Sequence, residues 1–196
     1  MILSPSEGEK TMLKFITISG GSGVGKGTAI QEILKITDLN LALAKSHTTR
    51  PMRVGDDIED RYIFVSEEVF FILVDSSDII EWNKYEGHCY GTSKSETEQL
   101  LELGHNVIKD IDINGHRALK SILPDMLSIF ITAPLSDIEN RLRSRRSNTE
   151  EEISARLEIA KSEMLCSHEF DFIVENHEGK LADAVNEIAQ IIRENT

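Results

Sequence analysis

Cysteine is nearly absent from this chain. Cys89 and Cys166 are the only two, far apart, so neither a disulfide framework nor a CxxC metal site can be assembled. His88 and His168 lie close to the two thiols, but no second pair stands at zinc spacing. A reducing, cytoplasmic setting is the default expectation. Positive charge is also short: 21 Lys and Arg face 34 Asp and Glu, for a net charge of −13, which argues against a nucleic-acid partner. No apolar run approaches the length of a membrane span, so no membrane partner is expected. Segment 1–10 holds Glu7 and Glu9 and has no apolar h-region, so it reads as a short extension rather than a signal peptide. Internal repeats and low-complexity linkers are missing too, and nothing in the sequence speaks to oligomeric state.

What is present is glycine, concentrated where it has a use. Residues 20–28 read GGSGVGKGT, directly after an apolar stretch and before helix-like spacing at Ile30, Ile33 and Leu34. Gly20, Gly21, Ser22, Gly23, Val24 and Gly25 form a loop whose backbone N–H groups can converge on phosphate. Lys26 adds a mobile positive charge, and the following helix turns its N-terminal dipole to the same place. The strict pattern is GxxxxGK followed by Ser or Thr, whose hydroxyl ligates Mg²⁺. Here Gly27 takes that position and Thr28 comes one place later. The loop points to a nucleoside triphosphate as donor and leaves the acceptor open.

Further along, strand-like runs at 13–19, 41–45, 106–110, 127–132 and 170–175 alternate with helical patterns at 26–36, 115–121, 137–145, 150–167 and 180–193. That alternation predicts an α/β fold, a parallel sheet flanked by helices, and 196 residues suit one such domain. Ser136-x-x-Glu139 and Thr149-x-x-Glu152 both read as capping boxes. Residues 47–91 break the rhythm: short β segments at 62–65, 79–84 and 88–91, with a helix at 67–74 capped by Ser66, read as a small β-rich insertion.

Two arginine clusters offset the overall acidity: Arg50, Arg53 and Arg61, and Arg141, Arg143, Arg145, Arg146 and Arg156. Arg50 and Arg53 with Tyr62 form a plausible clamp for a phosphate monoester, since guanidinium forks match its oxygens and a phenol adds one bond. Taken alone, Arg50 and Arg53 would more often be solvated surface charges. Glu81 beside Trp82 sits inside an otherwise apolar strand. It reads either as an acceptor for the N–H and amino edge of guanine or as an edge-strand charge that discourages aggregation.

Taken together, GGSGVGKGT, SHTTRPMRVGD, RYIFVS, IIEWNKYEGHCYGTS, DIDINGHRAL and RLRSRR with the following helix resemble guanylate kinases, in order and spacing, over nearly the whole chain. The resemblance implies a P-loop NTPase-type core (12–45 and 93–196), a monophosphate-binding lobe (about 46–92) and a lid (about 141–156). It implies ATP and Mg²⁺ as donor and cofactor, GMP as acceptor, and in-line phosphoryl transfer. Carried over residue by residue, it places Ser46, Glu81, Thr92 and Asp112 at the guanine base. Arg50, Arg53, Tyr62 and Tyr90 fall at the GMP phosphate, and Lys26, Arg50, Arg145 and Arg156 at the reacting phosphates, with Arg141 a looser match. Thr28 or Asp110 are the outer-shell candidates for Mg²⁺.

Some positions depart from the family wording. Gly27 stands for a serine, giving the GKGT of adenylate kinases, and Lys109 ends an apolar strand where an aliphatic residue is expected. A kinase for another monophosphate or small phosphate ester, AMP above all, is therefore one alternative. The other is a non-catalytic module that binds phosphorylated peptides. Lys26 and the lid arginines argue against that module, which has no use for them.

Overall fold

The structure is a computed structural model that describes residues 14–52, 61–85, 87–144 and 149–196. In chain order the elements are β1 (Phe15–Ser19), α1 (Lys26–Ile33), β2 (Leu41–Leu43), β3 (Ser46–Thr48), β4 (Tyr62–Phe64), α2 (Glu67–Asp75), β5 (Ile79–Tyr85) and β6 (His88–Ser93). They continue with α3 (Lys94–Glu102), β7 (Asn106–Asp110), α4 (Ile113–Ile122), β8 (Leu127–Thr132), α5 (Leu135–Ser144), α6 (Glu150–Met164), β9 (Phe172–Glu175) and α7 (Leu181–Asn195).

Five strands form one parallel sheet in the order β2-β7-β1-β8-β9. Strand β1 is buried along its whole length, as a parallel strand covered on both faces must be. Its alternate residues serve two cores. Ile16 and Ile18 join Ile30, Ile108, Val185 and Ile188 on the α1/α7 side. Phe15 joins Val107, Ile111 and Leu119 on the α4 side. Because Lys109 shares the parity of Val107, it too points to the second face, where Ala44 closes the edge. The carboxyl ends of β1 and β7 lie side by side, Ile18 paired with Asp110, which is where an open α/β sheet holds its ligands.

The insertion is a second sheet of four strands, β4-β3-β6-β5. Strand β3 runs parallel to β4 and antiparallel to β6. Between Ile79 and Trp82 the β5/β6 register slips, so that three steps on β5 span two on β6. The slip is a β-bulge, and it decides where Glu81 points. Ile79 pairs with Ser93 and Trp82 with Gly91, both on the α2 side, so Glu81 turns to the opposite face together with Asn83. Without the extra residue Glu81 would share the face of Ile79. Trp82 instead meets Phe70 and Phe71 edge-on, at centroid distances of 6.0 and 5.6 Å.

Several element boundaries differ from the sequence expectation. The first helix stops at Ile33 and passes into a 3-10 turn, Thr37–Leu39. Helix α5 begins at Leu135, with the amides of Asp137 and Ile138 both bonded to the Pro134 carbonyl. Ser136 is therefore already inside the first turn and bonds the neighbouring Asp137 side chain instead of capping. The Thr149 box does form, reciprocally with Glu152. Strand β3 and helix α3 were not anticipated, the first because SHT lacks apolar alternation and the second because KSETEQLLE carries little apolar periodicity. Among the described residues no helix is long and apolar enough to cross a membrane.

Candidate active site

The glycine-rich loop leaves β1 and enters α1 through Gly25, which stands at φ 88° as the helix N-cap. A side chain there would be strained by that left-handed backbone and would meet the Asn176 amide 2.5 Å away. The loop is fastened from outside. Asn176 Nδ2 donates to the Val24 carbonyl at 2.7 Å, and Arg141 donates to the same carbonyl at 3.0 Å and to the Asn176 carbonyl at 2.8 Å. Arg156, on α6, donates to Ser22 Oγ at 3.0 Å. With Arg141 and Arg156 engaged, one helix on each side of residues 145–148 holds the loop.

Lys26 meets Asp110, at the end of β7, at 2.8 Å. Burial alone pulls this ammonium down, but the charge and hydrogen bond of Asp110, with help from Tyr62 and Glu163, raise it above its ordinary value. It is a firm cation. The other oxygen of Asp110 accepts from Arg61 at 3.3 Å, and Arg61 also donates to the Gly27 carbonyl at 2.8 Å. A Cβ on Gly27 would stand 3.1 Å from that guanidinium. Arg61 thus fills the space that a serine at position 27 would use, an arrangement that the sequence did not reveal. Thr28 is exposed on the first turn of α1.

One face of the four-stranded sheet bears Ser46, Tyr62, Tyr90 and Thr92, as the pairings Ser46 with Tyr62, Ser46 with Thr92 and Thr48 with Tyr90 require. The rings of Tyr62 and Tyr90 stand edge to face with centroids 6.0 Å apart. The Arg50 guanidinium lies 5.4 Å from the ring centres of both Tyr62 and Phe64. Burial raises the Tyr62 phenol above its ordinary value, and the charge of Asp110 adds to the shift, so it is a donor rather than a phenolate.

Glu81 is 8% exposed. Thr92 Oγ1 donates to its Oε1 at 2.6 Å. Burial raises the carboxyl above its usual range, while Thr92 and the Lys109 charge pull it back. Asp112 caps α4, accepting from Gly115 N at 2.8 Å and from Asn83 Nδ2 at 3.0 Å. It is therefore also a structural residue that ties the lobe to the core. Lys109 reaches up from β7 and donates to Ser46 Oγ at 2.5 Å and to the Ala44 carbonyl at 3.2 Å.

The structure brings Lys26, Asp110, Tyr62 and Arg61 together, and separately gathers Ser46, Thr92, Glu81 and Lys109. Arg53 and Arg145 lie outside the described residues. Arg61, Asn176 and Lys109 were not assigned to the site from sequence. Two of them carried a signal: Arg61 stands in an arginine cluster, and Lys109 is a charge in an apolar strand. Among the described residues no group of three or more His, Cys, Asp or Glu side chains is arranged to hold a metal ion.

The family model described as guanylate kinase matches residues 12–195. A guanylate kinase of Prochlorococcus marinus subsp. pastoris is 37% identical over 185 residues, which cover 94% of this chain and 99% of that protein. A guanylate kinase of Thermotoga maritima is 35% identical over 181 residues, 92% of this chain and 86% of its own length. In structure, the chain superposes on the crystal structure of guanylate kinase from Anaplasma phagocytophilum with a TM-score of 0.74 at 24% identity, covering 92% of this chain and 85% of that one.

Proposed function

Since the chain belongs to the guanylate kinase family, we propose that it transfers the terminal phosphoryl group of ATP to GMP, in line, to give GDP and ADP. The observation that carries the acceptor assignment is Glu81. It is a buried carboxylate that the β5 bulge turns onto the sheet face bearing Tyr62 and Tyr90. A carboxylate accepts and cannot donate. It suits guanine, which offers an N–H and an amino group side by side, and repels adenine, whose corresponding ring nitrogen is an acceptor.

In this reading the loop 20–28 and Lys26 hold the ATP phosphates. Arg50, Tyr62 and Tyr90 hold the GMP phosphate, with Arg53 as a further candidate. Ser46, Glu81 and Thr92 read the base, and Asp112 orients the lobe from below. The acceptor oxygen of a monophosphate is already ionised, so no strong general base is needed, and the work is to bring two polyanions into line. Lys26, Arg156 and Arg145 would neutralise charge on the moving phosphoryl group. Mg²⁺ arriving with ATP supplies further charge neutralisation. The residues present fit such an ion from the outer shell: both Asp110 oxygens are engaged, by Lys26 and Arg61, and Thr28 is exposed on the adjoining turn, so either would hold it through water while phosphate and water supply the direct ligands. Residues 46–92 would act as the acceptor lobe and 141–156 as the lid, excluding water on closure. No nucleic-acid partner is proposed, given the net charge of −13, and two free cysteines suit a reducing, cytoplasmic setting.

The test is a coupled assay for ADP with ATP and Mg²⁺ against GMP, AMP, UMP and CMP. GMP should turn over at least about 10⁴-fold better in kcat/KM than AMP, the scale set when buried polar groups are left unpaired. Preference for AMP would falsify the guanine assignment.

A further inference from the structure

Lys109 is 2% exposed and belongs to the core sheet, yet its ammonium ends beneath the acceptor lobe on Ser46 Oγ and the Ala44 carbonyl, at 2.5 and 3.2 Å. An ammonium has three donors and no acceptor. Ser46 Oγ must therefore accept from it, and the single hydroxyl proton of Ser46 is left to donate elsewhere. Ser46 pairs with Thr92 across β3 and β6, so the two side chains stand on one face. Thr92 in turn spends its own proton on Glu81.

The result is a fixed polarity: Ser46 as donor, Glu81 as acceptor. Guanine presents an acceptor, O6, next to its N–H and amino donors, whereas adenine carries a donor amino group in place of O6. We propose that Lys109 is a positioning residue for base selection, which locks the Ser46 hydroxyl as a hydrogen-bond donor to the 6-oxo group of the purine monophosphate. The role rests on the reading that GMP's base lies against Ser46 and Glu81.

Energetics support a role beyond packing. Burial drives the Lys109 ammonium from its ordinary 10.5 down to about 8, with the charges of Glu81 on β5 and Asp110 on its own strand opposing that fall. An apolar side chain would fit the same strand without a desolvation penalty. Its ammonium in turn lowers His47 on β3, whose shift is due first to burial.

The experiment compares Lys109→Met, Lys109→Gln, Ser46→Ala and the Lys109→Met/Ser46→Ala double variant, each checked for folding by circular dichroism. Affinities for GMP, IMP and AMP are read by calorimetry, and KM for ATP by the coupled assay. Lys109→Met should weaken GMP about tenfold, the size of one hydrogen bond to a defined donor. It should weaken IMP by a similar factor, because IMP keeps the 6-oxo group and lacks only the amino group. KM for ATP should stay within about twofold. Lys109→Gln, which retains an N–H donor, should recover part of the loss. In the Ser46→Ala background, Lys109→Met should cost less than about twofold more, because its effect passes through the missing hydroxyl. Additive losses, or unchanged GMP affinity in Lys109→Met, overturn the proposal. If Lys109→Met fails to fold, the same cycle built with Lys109→Leu, which also removes the donor, decides, and additivity there overturns the proposal equally. A parent protein that binds AMP as well as GMP would sink the function reading itself, a different and separable failure.

Discussion

Asp110 carries two cations, Lys26 on one oxygen and Arg61 on the other. Lys26 was legible in the sequence, because a lysine that closes a glycine-rich loop has a known use. Arg61 was visible only as one of a cluster. Its contact with Gly27 joins residues 34 positions apart and depends on the fold. Lys109 lies between these cases: its oddity could be read from the strand pattern, but its partner could not. Its titration gives a prediction at the same scale. The folded-state value of about 8 lies below the ordinary 10.5. Between those values the unfolded chain binds more protons than the native one, so this group makes stability rise with pH. The penalty is fully present below pH 8 and relieved by about pH 10.5, with an upper size of about 3 kcal/mol. Urea midpoints of parent and Lys109→Met, measured at pH 7 and pH 10, should show the variant's advantage at pH 7 shrinking at pH 10. Parallel pH profiles would mean that the lysine titrates normally.

Among the elements, the parallel sheet was the most readable, because strands buried on both faces leave long apolar runs in β1 and β8. Strand β3 was not readable: its three residues are buried for the sake of a polar face. Helix α3 did carry a usable start, Ser93 three residues before Glu96, and the Ser93 side chain accepts from the Glu96 amide at 3.5 Å. The bulge in β5 was invisible, since pairing register is a property of two strands and not of either alone. Gly91 is its partner in space. A Cβ there would stand 2.6 Å from Ile79 Cγ2 and 3.1 Å from both the Glu81 carbonyl and Trp82 Cβ. Gly91→Ala should therefore lower stability by about 1–3 kcal/mol through overpacking. It should also raise KM for GMP several-fold while sparing that for ATP, because the backbone it displaces carries Glu81. Denaturant melts and the coupled assay check both effects. Loss of stability with unchanged GMP discrimination would uncouple the bulge from the site.

At the scale of the whole molecule, acidity and anionic ligands coexist because cations are gathered locally. The chain has a net charge of −13, yet Lys26, Arg61, Arg141 and Arg156 converge around one loop. The need for local concentration was legible from composition. The resemblance named Arg156, and Arg141 more loosely, but not their partners in the loop, the Ser22 hydroxyl and the Val24 carbonyl, because both arginines arrive on separate helices more than a hundred residues downstream. Binding should register globally. GMP at about 100 times its dissociation constant adds about 2.7 kcal/mol of stability, which for a chain of this size lifts Tm by roughly 5–10 °C. AMP at the same concentration should leave Tm within about a degree. Equal shifts for the two nucleotides would mean that the base is not read.

The β5 bulge also leaves the chain's single tryptophan, Trp82, in peptide linkage with Glu81 and turned to the far side of the same sheet. There it rests on Phe70 and Phe71 and is 42% exposed. Tryptophan emission, excited to the red of the three tyrosines, is consequently a one-site signal placed in the lobe, on the sheet face opposite Glu81. Stopped-flow fluorescence can follow the lobe's response to GMP without a label, and a change in emission dates the movement of the strand that carries Glu81.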